Sequence, residues 1–270
     1  MTDERPALSQ SIAHILVSES PLHAWSAHRL LGGEPRPTTD AQSKGRLLHR
    51  MLLEGGDGIV VLDYPDWRTK AAREERAEVT ATGKLPILAE AYAELVHSVE
   101  RIRANIDTAG VSLEGGECEV RLEWHEESRV GGVLCHGVLD WLSDDHSHII
   151  DLKTGEASAH PDACAARLVR YGGALQDAAY RSAVSKLWPE MIGRVAVTFV
   201  FVETVAPFAV TPVTCASTMR EYGESRWLRA VELWARCLES NHWPGYGATR
   251  VEAPPWALAR EMEMEEEAWR

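Results

Sequence analysis

The residues of this chain best suited to chemistry are Asp140 and the triplet Asp151-Leu152-Lys153. Asp140 sits in Gly137-Val138-Leu139-Asp140-Trp141-Leu142, and the triplet follows His148-Ile149-Ile150. Both runs are apolar and β-branched, and Ser143-Asp144-Asp145-His146 separates them, which predicts two strands joined by a polar turn. Side chains alternate along a strand, so Asp151 and Lys153 share a face, and a hairpin can bring Asp140 beside them. Two carboxylates and one ammonium on one sheet face form a site for a hard cation with a basic group next to it. That is the chemistry of phosphodiester hydrolysis. The triplet alone is weak: with five lysines and 41 acids in the chain, about one acid-x-Lys triplet is expected by chance. A surface hairpin with solvated charges would read the same way.

Three further groups strengthen the case by their order. Gln176 and Tyr180 are four residues apart in a helical stretch, so they share a helix face. A core aromatic beside a solvated amide would look identical. His49 lies in Lys44-Gly45-Arg46-Leu47-Leu48-His49-Arg50, a short amphipathic helix stopped by Gly55-Gly56; a lone histidine is more often structural than a ligand. Glu119 lies in Glu117-Cys118-Glu119-Val120-Arg121-Leu122-Glu123-Trp124. Alternation predicts Cys118, Val120, Leu122 and Trp124 on one face and Glu119 on the other. This strand precedes the Asp140 strand and can be its neighbour in the sheet.

The order Gly-x-x-x-His, Glu strand, Gly-x-x-Asp, Asp-x-Lys-Thr and Gln-x-x-x-Tyr resembles the PD-(D/E)XK nuclease superfamily. Within it, the pattern is most similar to RecE-like (exodeoxyribonuclease VIII-type) phage exonucleases. Leu8 to Ser11, Ser20-Pro21-Leu22-His23-Ala24-Trp25, Trp67-Arg68-Thr69-Lys70 and Asn241-His242-Trp243-Pro244 extend the likeness from about Leu8 to Trp256. His136-Gly137-Val138-Leu139-Asp140 departs from the pattern in lacking a proline before the first acid. The resemblance implies a Mg²⁺-dependent deoxyribonuclease, with Mn²⁺ able to substitute. Asp140, Asp151, Glu119, His49 and the Leu152 carbonyl would hold the metal. Asp140, Asp151, Lys153, Gln176 and Tyr180 would form the catalytic set, with Lys153 orienting or deprotonating the attacking water. Duplex DNA ends, 5′ to 3′ polarity and a single-strand annealing protein as partner follow from the same likeness. Alternatives are a single-strand or structure-specific nuclease of the superfamily, or a non-catalytic DNA-binding module.

Composition sets the frame. The 270 residues suit one domain, read as a mainly helical part over 1–110, a nuclease core sheet over 111–215 and a C-terminal helix and tail over 216–270. The class is α/β (α+β): a central mixed sheet flanked by helices, with a helical N-terminal elaboration. Helices are expected over 10–16, 21–31, 42–53, 67–79, 85–106 and 217–239, and strands over 117–124, 133–142, 147–153, 194–202 and 208–213. No apolar run reaches the roughly 18 residues of a membrane span, and no leader pattern opens the chain, so a cytoplasmic protein is expected. Five cysteines without a Cys-x-x-Cys pattern imply reduced thiols and no iron–sulfur cluster. The net charge of −13 opposes long-range attraction of DNA. Processivity would then come from enclosure by a ring, a trimer or tetramer. Lys44, Arg46, Arg68 and Lys70 would line its channel, with Arg46 as the candidate for the 5′-phosphate.

Overall fold

The structure, a computed structural model, describes residues 5–33 and 40–269. Residues 1–4, part of the stretch read for a leader, lie outside it. The chain opens with α1 (Gln10–Ser18), α2 (Pro21–Ala27) and α3 (Asp40–Leu53). A small unit follows: β1 (Ile59–Leu62), α4 (Lys70–Ala81) and β2 (Leu85–Leu88), with β1 and β2 paired in parallel. The long α5 (Ala89–Thr108) leads into β3 (Gly116–Ser128), β4 (Gly131–Ser143) and β5 (His148–Gly155). Two helices, α6 (Pro161–Arg170) and α7 (Gly173–Leu187), connect to β6 (Ala196–Glu203). The chain ends with β7 (Val210–Thr214), α8 (Ser217–Ser240) and α9 (Pro255–Ala268).

Five strands form one mixed sheet in the order β3-β4-β5-β6-β7. Only β5 and β6 pair in parallel, and that pairing requires a crossover, which α6 and α7 provide. The central strands are apolar on both sides, as expected of a sheet covered on both faces. On one face Ile149, Phe199 and Phe201 pack with Leu16 of α1, Leu175 of α7 and Trp227 and Trp234 of α8. On the other, Ile150, Leu152, Val200 and Val202 pack with Leu48 and Leu52 of α3 and with Leu95, Val99, Ile102 and Ile106 of α5. The α5 stripe keeps the three-to-four spacing of its sequence.

The sheet and most helices match the sequence reading, and the departures have local causes. Helix α2 stops at Ala27 rather than running to Leu31. The His28 ring ends it: Nδ1 accepts from the Leu30 N–H at 3.2 Å, and Nε2 sits 3.1 Å from the Ala7 carbonyl. Residues 85–88 are strand, not helix. Pro86 disfavours a helix interior, and Leu85–Leu88 instead extends along Ile59–Leu62, a strand that the sequence reading missed. The stretch before Gln176 is two helices, broken at Gly172 with φ +79°, a conformation natural to glycine.

Cys118 does not share a face with Val120, Leu122 and Trp124. It packs with the α3–α5 cluster while the other three face α7 and α8. The cause is Glu119, whose φ of 54° resets the alternation of the strand. Its cross-strand neighbours behave likewise, with Leu139 on one side of the sheet and Trp141 on the other.

Helix α8 crosses α7 at Gly223, where a Cβ would lie 2.0 Å from the Ala174 carbonyl oxygen. Only a glycine allows that approach, and it fixes the start of the helix that carries Gln176. Gly223→Ala is expected to destabilise the protein by about 1–3 kcal/mol through overpacking, measured by urea unfolding. A variant as stable as the parent would mean that these helices do not pack this closely.

Candidate active site

The ladder between β4 and β5 is short, with rungs at Leu142↔Ile149 and Trp141↔Ile150. The next rung would oppose Asp140 to Asp151, and there the pairing stops. In its place the Asp140 carboxylate accepts the Leu152 N–H at 2.7 Å, so a side chain does the work of a missing backbone acceptor. The ladder between β3 and β4 has rungs at Cys118↔Trp141 and Val120↔Leu139 but none between them. The missing rung is Glu119 opposite Asp140. Three carboxylates therefore stand in one row across three adjacent strands, and both ladders are interrupted at that row. Opposed like charges destabilise a sheet, which favours such an opening.

Helix α3 closes the row from the side. His49 Nδ1 lies 3.7 Å from Asp140 Oδ2, too far for a hydrogen bond but close enough to share a cation. His49, Glu119 and Asp140 each offer one ligand atom, and these lie within 4.8 Å of one another. Burial and the neighbouring Asp151 push the Asp140 carboxyl well above the usual range. Burial and Glu54 raise Glu119 as well, with Arg50 opposing. Burial lowers His49 despite the pull of Asp151, which favours the neutral imidazole, the form that binds metals. The carboxylates are crowded beyond what the protein's own cations offset. Such a donor set fits a divalent cation.

Asp151 is buried, at 3% exposure, and its two oxygens differ. Oδ1 accepts from Gln176 Nε2 at 2.5 Å. Oδ2 is sealed from solvent without a well-aligned hydrogen bond, although the Lys153 ammonium stands 2.5 Å away. The contact is a close ion pair. Lys153 in turn donates to Gln176 Oε1 at 2.7 Å and lies 5.5 Å above the Phe199 ring. Gln176 thus clamps the acid and the base of the triplet together, each from one end of its amide.

Tyr180, one turn further along α7, is buried, and its hydroxyl donates to the Val138 carbonyl at 2.8 Å. It pins α7 to β4 two residues before Asp140. Burial, with Asp151 nearby, raises its phenol pKa, so it acts here as a neutral donor that positions the strand. Leu152 contributes its N–H to Asp140.

The basic residues are less well gathered. Lys44 and Arg46 are exposed on α3. Arg68 and Lys70, at the start of α4, stand 3.6 Å from Asp66 and Glu74 respectively. Of these four, Arg46 lines a cleft, together with Arg76 and Lys84, which the sequence reading did not single out. Their only local signal is a third arginine on a charged helix and a lysine after a turn glycine. Arg50, a basic residue of the His49 helix, is paired with Glu54 beside Glu119, a placement that only the fold shows.

A mixed five-stranded sheet covered by helices on both faces, with acids and a lysine where two strands part, defines a nuclease-type core. The PD-(D/E)XK nuclease superfamily model matches residues 16–266, and the chain belongs to that superfamily. No curated protein matches the chain. Among solved structures, a candidate exonuclease from Eubacterium rectale overlays with a TM-score of 0.59 at 12% identity, covering 93% of this chain and 90% of that one. This agrees with the RecE-like resemblance at the level of fold. A phage-related exonuclease from Haemophilus somnus 129PT covers 87% of this chain and 96% of its own at 12% identity, with a TM-score of 0.35, an overlap too loose to bear on the architecture. Among the described residues no helix is long and apolar enough to cross a membrane.

The Gln176 clamp has a measurable consequence. Gln176→Ala is expected to weaken Mn²⁺ binding, hydrolysis of DNA, or both, by about 10–100-fold, the usual effect of losing a group that orients ligands. Calorimetric titration and an end-labelled DNA assay read the two effects separately. Parent-like values in both would reduce Gln176 to a packing residue.

Proposed function

We propose that the protein is a metal-dependent exodeoxyribonuclease that shortens linear double-stranded DNA from its 5′ ends, leaving single-stranded tails for recombination. The observation that carries this reading is the meeting of His49, Glu119 and Asp140 within 4.8 Å, beside the Asp151–Lys153 pair at 2.5 Å. Glu119, Asp140 and His49 would hold the cation, joined by Asp151 and the Leu152 carbonyl. Mg²⁺ is the expected ion; an imidazole ligand also suits Mn²⁺. When bound, the ion stabilises the negative charge that develops on the phosphate oxygens during hydrolysis.

The chain's own groups do the rest. Lys153 orients the attacking water, helps to remove its proton and offsets phosphate charge. Its ammonium is already aimed, because Asp151 and Gln176 hold it from two sides, and a pre-aimed group avoids the cost of orientation during reaction. Tyr180 keeps the Asp140 strand in register with α7. The product carries a 5′-phosphate. No base-reading motif is present in the sequence, which suits hydrolysis without regard to sequence. Polarity and preference for duplex ends rest on the RecE-like resemblance.

We read the 270 residues as one exonuclease domain, working in the cytoplasm as a trimeric or tetrameric ring that encloses DNA. Lys44, Arg46, Arg68 and Lys70 would face the channel, and a single-strand annealing protein would receive the tails. Enclosure answers the acidic balance of the chain: a protein with net charge −13 gains little from long-range attraction.

End-labelled linear duplex should be shortened with Mg²⁺ or Mn²⁺ and spared with EDTA, and covalently closed circles should survive. Degradation undiminished by EDTA would remove the metal from the mechanism, and label released first from 3′ ends would reverse the polarity. Asp151→Ala and Lys153→Ala should both suppress cleavage, the lysine variant by about 10²–10⁴-fold. Only the aspartate variant should lose Mn²⁺ binding in calorimetry; equal loss in both would make Lys153 a structural partner of the acid.

A further inference from the structure

Helix α3 carries His49 and Arg46 three residues apart, as neighbours on its surface. His49 looks toward the carboxylate row. One turn earlier, ~4.5 Å along the helix axis, Arg46 looks into a cleft between α3, α4 and β2. That cleft has a volume of about 290 Å³ and is lined by Ser43, Arg46, Arg76, Thr80 and Lys84, with no acidic side chain in its wall. Gly45, one turn before His49 and on the same side of the helix, faces Thr154 at the end of the lysine strand, with 3.6 Å from its Cβ direction to Thr154 Oγ1. The cleft therefore opens beside the catalytic centre.

Its charge is out of keeping with the rest of the chain. Acids outnumber Lys and Arg 41 to 28, and the nearest cations on α3 and at the start of α4 are paired: Arg50 with Glu54, Arg68 with Asp66, Lys70 with Glu74. Among the described residues, Arg46, Arg76 and Lys84 take no ion pair. Helix α4 does carry acids, but Glu74 is taken by Lys70, Glu75 accepts from Tyr64 at 2.6 Å, and Glu78 is exposed and does not line the cleft. The Arg76 guanidinium is set in place by the Trp67 ring, 4.9 Å from its centroid. Thr80 spends its proton on the Arg76 carbonyl at 2.7 Å, so the strongest donors facing a ligand are the cationic groups. Three converging cations without a carboxylate repel one another until an anion arrives.

We propose that this cleft is a phosphate-binding subsite for the backbone of the DNA strand, with Arg76 and Lys84 joining Arg46 as positioning residues. The proposal rests on the nuclease reading above. A backbone phosphate fits better than a terminal one. The cleft is open, Arg46 and Lys84 are exposed, and long solvent-facing cations track a strand and set its register rather than enclose its end. Neighbouring phosphates follow at about 3.4 Å of rise per strand, so a strand held here reaches the carboxylate row within a few nucleotides. The unit formed by β1, α4 and β2 then has a purpose: it carries two of the three cations to the rim of the site.

The test is equilibrium binding of a fluorescent duplex oligonucleotide by anisotropy, with Ca²⁺ in place of Mg²⁺ and a range of salt concentrations. Each phosphate contact contributes about 0.9 to the slope of log affinity against log salt. The double variant Arg76→Ala, Lys84→Ala is expected to lower that slope by nearly two and the affinity by about 10- to 60-fold at 0.1 M salt. The loss should be equal for 5′-phosphorylated and 5′-hydroxyl ends. The charge-keeping double variant Arg76→Lys, Lys84→Arg should recover most of the slope, with an unchanged circular dichroism spectrum in both variants. An unaltered slope, or a slope that the charge-keeping variant fails to recover, overturns the proposal. Loss confined to 5′-phosphorylated ends would reassign the cleft to the terminal phosphate and overturn the backbone assignment. A parent protein that bound no duplex at any salt concentration would overturn the nuclease reading itself, and this subsite with it.

Discussion

The structure around the site depends on a repulsion. Glu119, Asp140 and Asp151 occupy one row across three adjacent strands, where an ordinary sheet would place side chains about 5 Å apart on paired rungs. Like charges at that spacing resist both burial and pairing, and the sheet yields at that row. The β4–β5 ladder ends, the β3–β4 ladder skips a rung, and Glu119 takes a left-handed backbone conformation. Asp140 recovers part of the cost by capping the Leu152 amide. A bound cation would recover the rest, so the tension in the sheet and the affinity for metal have a common origin.

Much of the surrounding architecture serves to hold that row open without losing it. Helix α7 contributes Gln176, which bridges Asp151 and Lys153, and Tyr180, which ties α7 to β4 through the Val138 carbonyl. The close crossing of α8 at Gly223 fixes where α7 begins. From the opposite face, α3 brings His49 against Asp140 while Leu48 and Leu52 bury its other side. Two helical layers thus reach the same row from the two faces of one sheet, and the sheet itself supplies the acids.

Electrostatics divides the molecule by distance. Over the whole chain the balance is acidic, and the exposed α9 adds to it with Glu261, Glu263, Glu265 and Glu267. In the cleft beside the site the balance reverses, where Arg46, Arg76 and Lys84 come together without counter-charges. Net charge governs long-range approach, but contact with a phosphate is a local matter. An acidic protein can therefore hold DNA if its cations are placed where the strand must lie, and its acids where a metal covers them.

The sequence by itself determined which residues are candidates for the site and most of the sheet. Asp140, Asp151 and Lys153 were legible because strand alternation is a local rule. Gln176 with Tyr180 was legible from helical spacing, and α5 from its apolar stripe. Tertiary structure decided what those residues do to one another. Gln176 is a clamp rather than a solvated amide because α7 lies across the end of β5. The interruption at Glu119 moved Cys118 to the other side of the sheet, since a single residue with φ of 54° reverses an alternation that no local pattern betrays. The β1–β2 pair was missed because four-residue strands bury too little to leave a periodic signal, and Leu85–Leu88 runs directly into a genuine helix. Arg46, Arg76 and Lys84 are 30 and 8 residues apart along the chain and become neighbours only when α4 and β2 fold against α3. Spacing along a chain records which side chains share an element; which elements meet is set by packing, and that information is not local.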